Sequence, residues 1–251
     1  MQLLVDSIMF CLTQDFNKMN TKTPGIKWKA IALFYVIAVL IRAIVLRYWD
    51  FVASPFIGWF RVWAQGIGPC LGALVAVLIF KRKLYCTLTG KSVIKSVFTF
   101  AIPIVICFLL DRNLSLILMG TLIYSLLEEV GWRGYLQGEL MDMNRVSSNF
   151  LIATMWFFWH IAIRFDIGGL IFFGVLLLGA WGIGNIARDT RSLTACACFH
   201  TLFNFSNQGY FSFSPGIIAI YVVVFVSWFV IWYIPWKETI LRLTRLNNKH
   251  S

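Results

Sequence analysis

Residues 114–133 read LSLILMGTLIYSLLEEVGWR, a predominantly apolar run that ends on Glu128, Glu129 and, four residues after the second acid, Arg133. An apolar stretch of about 20 residues is what a helix needs to cross the hydrocarbon layer. Adjacent carboxylates at that depth are costly, at least about 2.5 kcal/mol each even on lenient insertion scales, so they belong in a protein interior or a watery cavity and often carry function. The only other glutamates are Glu139 and Glu238. A purely structural helix would be better served by Leu at 128 and 129.

The rest of the chain agrees with this reading. It has 251 residues, 59% of them hydrophobic and 13% charged, and a mean hydropathy of +0.77, whereas about 25% charge is usual for a soluble domain. It is expected to be an all-α, polytopic membrane helix bundle. The net charge of +11 does not indicate nucleic acid, because the basic residues are spread between apolar runs rather than gathered on one face. Many of the 11 tryptophans flank those runs, as expected of rings at the headgroup level. Met1 to Thr13 lack a basic start and Asp6 interrupts their apolar run, so no cleavable signal peptide is expected. Six cysteines, Cys11, Cys70, Cys86, Cys107, Cys196 and Cys198, show no disulfide framework. Cys196 and Cys198, two apart, point to different faces of a helix and make a poor metal pair.

About eight spanning segments follow, at 28–47, 59–80, 93–111, 114–136, 148–164, 167–187, 192–208 and 216–236. Lys and Arg test this division, since they accumulate on the cytoplasmic side. With the N-terminus inside, Lys81, Arg82, Lys83, Lys91, Lys95, Arg133, Arg145, Arg188 and Arg191 all fall inside, and outer segments keep only Arg47, Arg61, Arg112 and Arg164. Arg42 is left within the first span. Both termini are thus expected to be cytoplasmic. Residues 1–251 form a single integral domain, with interfacial or cytoplasmic flanks at 1–27 and 237–251.

The loops are short, so any chemistry must sit among the helices. Residues four apart share a helix face and adjacent ones diverge by about 100°. Glu129 can therefore pair with Arg133, while Glu128 points elsewhere without that cation. Burial and a like-charged neighbour both favour its protonated form, which suits a base working near neutral pH. Two of the three histidines, His160 and His200, also lie in apolar spans. His160 closes Trp156-Phe157-Phe158-Trp159-His160, and Asn204 follows His200 by one turn. Read singly, these are a core histidine and an interhelical hydrogen-bonding pair. Read jointly, two acids, two histidines and an asparagine on three spans imply a common pocket.

Glu-Glu-x-x-x-Arg at 128–133, an aromatic residue four before His160 and His-x-x-x-Asn at 200–204 resemble the three signature motifs of the CPBP family of intramembrane proteases. This is the CAAX-protease and bacteriocin-processing group, also called Abi, which includes the type II CAAX prenyl endopeptidases. The motifs occur in the family's order within residues 115–210. One position departs: the second motif usually opens with Phe and here carries Trp156. The resemblance implies an eight-helix bundle that hydrolyses peptide bonds within the membrane. Glu128 and His160 would activate water, His200 and Asn204 would form the oxyanion hole, and Glu129 and Arg133 would support the site.

Two histidines and a glutamate also match the His₂Glu ligand type of hydrolytic zinc sites, which would make Glu128, His160 and His200 the ligands. Asn204 fits a hydrogen-bond donor better than a zinc ligand and no His-Glu-x-x-His is present, so the metal-independent reading with no cofactor is preferred. A peptide-binding immunity or transport protein that does not cut its ligand is the nonenzymatic alternative. The expected partners are the lipid bilayer and a peptide substrate, prenylated or a bacterial leader peptide, in a bacterial cytoplasmic membrane.

Overall fold

The computed structural model describes residues 25–110, 112–161, 163–207 and 215–233, with the backbone alone at 59, 205–207 and 215–221. The expected flanks at 1–27 and 237–251, with Cys11 and His250, lie outside these residues except for 25–27. The described residues hold the long helices α1 Trp28–Arg47, α2 Trp63–Phe80, α3 Val93–Leu110, α4 Arg112–Glu129, α5 Arg145–Trp159, α6 Ile167–Thr190, α7 Leu193–Asn207 and α8 Pro215–Tyr233. Each overlaps one of the expected segments. Among the described residues five stretches, fewer than the eight spans expected, are long and apolar enough to cross a membrane: Trp28–Arg47, Phe60–Phe80, Val93–Leu110, Arg112–Glu139 and Ile167–Thr190.

The expected segment 148–164 is cut short. Helix α5 has only 15 residues, because Ile161 takes a left-handed φ of 63° and Asp166 then starts α6 by accepting the Gly169 N–H at 2.9 Å. The bonds from Gly169 and from Arg164 hold the Asp166 carboxyl below its usual range. His160 therefore caps the C-terminus of α5 instead of lying inside it.

Helix α1 shows how burial is distributed. Ala30, Ile31, Phe34, Ala38, Arg42 and Val45 form its buried stripe, and Val36, Leu40 and Ile44 stand exposed on the opposite side. In water such an outer face would be a liability; in lipid it is the solvated face. Helix α2 meets α1 through glycines: a Cβ on Gly68 would lie 2.7 Å from the Ala38 carbonyl oxygen, and one on Gly72 2.5 Å from that of Phe34. Close backbone approach through small residues is how helices associate where the hydrophobic effect gives no drive.

Helix α4 continues beyond Glu129 as a π-helical turn, Val130–Leu136, and a last α-helical turn, Gln137–Glu139. Such wide turns concentrate at functional sites. Gly131 packs against Pro69 of α2 so tightly that a Cβ would lie 2.6 Å from the Pro69 Cβ. The Gly134 carbonyl accepts the Tyr85 N–H at 2.6 Å, and the same α2–α3 loop pairs with the α6–α7 loop through Thr87 N–H to Arg191 O and Leu193 N–H to Thr87 O. Arg191 stacks on the Tyr85 ring at 3.5 Å; burial pushes the Tyr85 hydroxyl up to about 12, which keeps that ring neutral. Arg82 binds Glu139 with 2.6 and 2.8 Å contacts.

Two apolar clusters fill the bundle, one around Phe34, Trp132, Tyr135, Trp156 and Trp159, the other around Leu118, Leu122, Phe199 and Trp228. Cys196 belongs to the first and Cys198 to the second, as their divergent directions on one helix require. Among the described residues Cys70, Cys86, Cys107, Cys196 and Cys198 are free thiols.

The α1–α2 contact can be tested at two glycines. Gly72→Ala should cost about 1–3 kcal/mol through overpacking and lower the thermal unfolding midpoint in detergent. Gly182→Ala, where an added Cβ meets nothing within 4 Å, should leave the midpoint unchanged or raise it, since alanine is the better helix former.

Candidate active site

Glu128, Glu129 and Arg133 are fully buried, and His200 is 3% exposed. The two acids leave the end of α4 in different directions, as adjacent helical positions must. Arg133 Nε lies 3.1 Å from Glu129 Oε2, a side-on ion pair. The other oxygen of Glu129 meets His200 Nδ1 at 2.8 Å. Glu129 therefore does more than anchor its own helix: it joins α4 to α7 through an imidazole. The Arg133 guanidinium also stands 5.5 Å over the Trp156 ring.

Glu128 has no cation beside it. Its Oε2 accepts two indole N–H groups, from Trp156 at 2.9 Å and Trp132 at 3.3 Å, while Oε1 has no hydrogen-bond partner. The Tyr124 hydroxyl also interacts with this carboxylate. A phenylalanine at 156 would keep the ring and lose the shorter of the two bonds, so Trp156 is a donor as well as a wall. Neither indole was assigned this role on sequence grounds, although Trp132 stands at the i+4 position that invites it.

At His160, Nδ1 lies 2.8 Å from the Trp156 carbonyl oxygen. A carbonyl can only accept, so Nδ1 carries the proton and Nε2 of the neutral ring keeps its lone pair. Glu128 and His200 both lie within electrostatic reach of this ring, as does Arg42. The ring packs edge-on against Trp159 and Phe172, with centroids at 5.0 and 4.9 Å.

Asn204 donates through Nδ2 to Ser125 Oγ at 3.4 Å, and Ser125 Oγ also receives the Thr201 hydroxyl at 3.0 Å. Thr201 and Asn204 thus bind α7 to α4 one turn before the acids. This small polar seam was not foreseen, because serine and threonine inside a span are also common without any partner outside their own helix. His200 fixes the other end of the contact and sets its ring edge-on to Trp156 at 5.0 Å. The structure thus brings Glu128, Glu129, Arg133, His160, His200 and Asn204 to one region between α4, α5 and α7.

An apolar cavity of about 310 Å³ opens beside His200. Trp156, Leu176, Gly179, Ile183 and Phe203 are among the residues that line it. Among the described residues, no three His, Cys, Asp or Glu side chains are grouped so as to hold one metal ion. The Nδ1 atoms of His160 and His200 face the Trp156 carbonyl and Glu129.

Residues 110–206 match the family described as type II CAAX prenyl endopeptidase Rce1-like. A search of curated proteins finds no match. The matched segment contains α4, α5, α6 and nearly all of α7, with all three motifs and every residue of the buried cluster just described. The chain is an integral membrane protein by its long apolar helices, and its residues 110–206 are similar to the type II CAAX prenyl endopeptidases.

Proposed function

We propose that the protein is an intramembrane endopeptidase in which Glu128 is the general base. The observation that carries this reading is the unequal treatment of the two buried acids: Glu129 is paired with Arg133 and meets the His200 ring, whereas Glu128 is held by indole N–H groups, with one oxygen lacking a hydrogen-bond partner. Of the two acids, the one outside the ion pair is the one placed to take a proton from water.

In the proposed reaction a water molecule is held between Glu128 and His160 Nε2. Glu128 takes one of its protons as the hydroxide oxygen bonds to the scissile carbonyl carbon, and the carbonyl electron pair moves onto oxygen. That oxyanion accepts hydrogen bonds from His200 Nε2–H and Asn204 Nδ2–H. Collapse breaks the C–N bond, and the proton on Glu128 passes to the leaving amine. Glu129 Oε1 lies 2.8 Å from His200 Nδ1 and so fixes the orientation of the imidazole. No step uses a metal.

The cavity beside His200 would receive the apolar part of the substrate, a lipidated residue or a hydrophobic leader segment. The Lys and Arg distribution supports an orientation with both ends of the chain in the cytoplasm. The rival reading, a peptide-binding protein without catalysis, differs in one outcome. Comparison of cleaved peptides from membranes carrying wild type or Glu128→Gln should show products only with wild type; identical products would refute the base assignment.

Four further results are expected. Asn204→Ala should lower the cleavage rate by about 10²–10³-fold, the usual loss of one oxyanion donor, and metal chelation of the purified protein should leave the rate unchanged. Glu129→Gln leaves Arg133 an uncompensated buried cation and should cost about 3–5 kcal/mol of stability. Glu128→Gln removes a buried charge that has no counter-ion and should not lower the unfolding midpoint.

A further inference from the structure

The ends of α5 and α6 that the Lys and Arg distribution assigns to the cytoplasm hold a group of polar side chains for which the reaction has no use. Arg145, the first residue of α5, and Asn149 one turn later share a face of that helix, while Trp181, Gly184, Asn185 and Arg188 share a face of α6. The two faces meet. Arg145 Nη2 donates to Asn185 Oδ1, and Arg188 Nη1 donates to the same oxygen at 3.3 Å. The Arg145 guanidinium lies 5.3 Å over the Trp181 ring, which is 43% exposed. Among the described residues neither arginine forms an ion pair; their ion pairs are Arg82 with Glu139, Arg133 and His200 with Glu129, and Arg164 with Asp166. Arg145 and Arg133 lie within electrostatic reach of Arg188. Asp189 is within the same reach, but its Oδ2 accepts the Tyr233 hydroxyl at 3.1 Å.

Behind the arginines the polar groups are buried and unanswered. Asn149 is 2% exposed and Gln137 fully buried, yet both amide atoms of Asn149 and Oε1 of Gln137 lack hydrogen-bond partners. These groups surround the bare side of Gly184: a Cβ there would lie 3.2 Å from Asn149 Oδ1, 3.3 Å from Gln137 Oε1 and 3.9 Å from Arg188 Nη1. Buried amides left in this state are costly. No bond fixes which end of the Asn149 amide faces Arg188, so its Nδ2 can join the two guanidinium groups as a further donor. Two planar forks and an amide N–H, with one neutral oxygen bridging the two cations, suit an anion of several oxygens, and guanidinium forks match phosphate. The height of the group indicates a lipid. Trp181 marks the headgroup level, and deeper on the same two helices Phe150 and Leu178 stand exposed, a surface for acyl chains. Basic pockets between spans on the cytoplasmic side take phospholipid headgroups in this way.

We propose that Arg145, Arg188 and Asn149 bind the phosphate of an anionic phospholipid headgroup in the inner leaflet. The bound lipid ties the start of α5 to the end of α6. Helix α5 carries Trp156 and His160, and Leu176, Gly179 and Ile183 of α6 line the cavity beside His200, so the lipid braces two walls of that cavity from outside. Its phosphate also offsets the repulsion between Arg188 and Arg133. The proposal stands independently of the endopeptidase reading. Lysine keeps each charge and loses the fork, so a built phosphate site is weakened by lysine at 145 and 188, whereas a diffuse attraction between basic residues and the leaflet is not.

The test counts lipids retained on the full chain by native mass spectrometry, from detergent supplemented with equal amounts of phosphatidylglycerol and phosphatidylcholine, and follows the thermal unfolding midpoint with each lipid alone. Wild type should retain phosphatidylglycerol roughly tenfold over phosphatidylcholine and unfold at a higher temperature with it, as binding to the folded state requires. Arg145→Gln with Arg188→Gln should lose both effects, and Arg145→Lys with Arg188→Lys most of the preference. Arg145→Gln alone, at an exposed position where folding is not at risk, should weaken retention as well. Lys81→Gln with Lys83→Gln removes the same charge from two exposed lysines of the α2–α3 loop and should leave both effects in place. No preference in wild type, an unchanged preference in the double glutamine variant, a full preference in the double lysine variant, or an equal loss in the Lys81 and Lys83 control overturns the proposal. Millimolar inorganic phosphate that raises the midpoint as far as phosphatidylglycerol does assigns the site to free phosphate and overturns the lipid. Midpoints in phosphatidylcholine alone separate misfolding from lost binding, and Glu128→Gln should retain the lipid as wild type does.

Discussion

Two carboxylates buried side by side require the surrounding protein to do something different for each, and most of the site follows from that requirement. Glu129 is answered with charge, by Arg133 from its own helix and His200 from α7. Glu128 is answered with dipoles, from Trp132 of the same chain segment and Trp156 of α5. Each solution also makes a tertiary connection, so three helices converge because two acids need partners. If both acids shared one cation, neither α5 nor α7 would have a polar reason to approach α4 at this level.

The supporting structure has the same economy. The glycines of α2 let α1 come within backbone distance, Gly131 of the π-helical turn does the same against Pro69, and that turn gives its Gly134 carbonyl to the α2–α3 loop. The loop in turn holds the α6–α7 connection. The chain segments that carry the Glu-Glu-x-x-x-Arg and His-x-x-x-Asn motifs are therefore braced at one end of the bundle by ordinary backbone bonds. Buried hydrogen bonds of this kind are well protected from competition by water.

Much of this was legible in the amino-acid order. Hydropathy located the helices, since lipid makes apolar run length a direct measure of spanning potential. Spacing of four linked Glu129 with Arg133 and separated Glu128 from both, because those relations lie within one helix. What could not be read was every partnership between helices. His200 could have faced either acid, and only the packing of α7 decides for Glu129. Trp156 looked like a ring because spacing reports a residue's face and not the direction of its N–H. The wide turn at Val130–Leu136 leaves no trace in hydropathy, as it changes hydrogen-bond register and not polarity. Arg42 breaks the alternation of basic residues because its partners, Gln65 of α2 and the Trp159 ring, lie on other helices.

Helix α5 has 15 residues, which at about 1.5 Å each comes to roughly 22 Å, against a hydrocarbon layer about 30 Å thick. Lipid next to so short a helix must compress, or the helix end must stop inside the layer. His160 sits at that end. Helix α7, which carries His200, has 15 residues as well, so both histidine-bearing helices fall short of that thickness. A polar cluster carried on helices this short is closer to the headgroups, and so to water, than one carried on full spans.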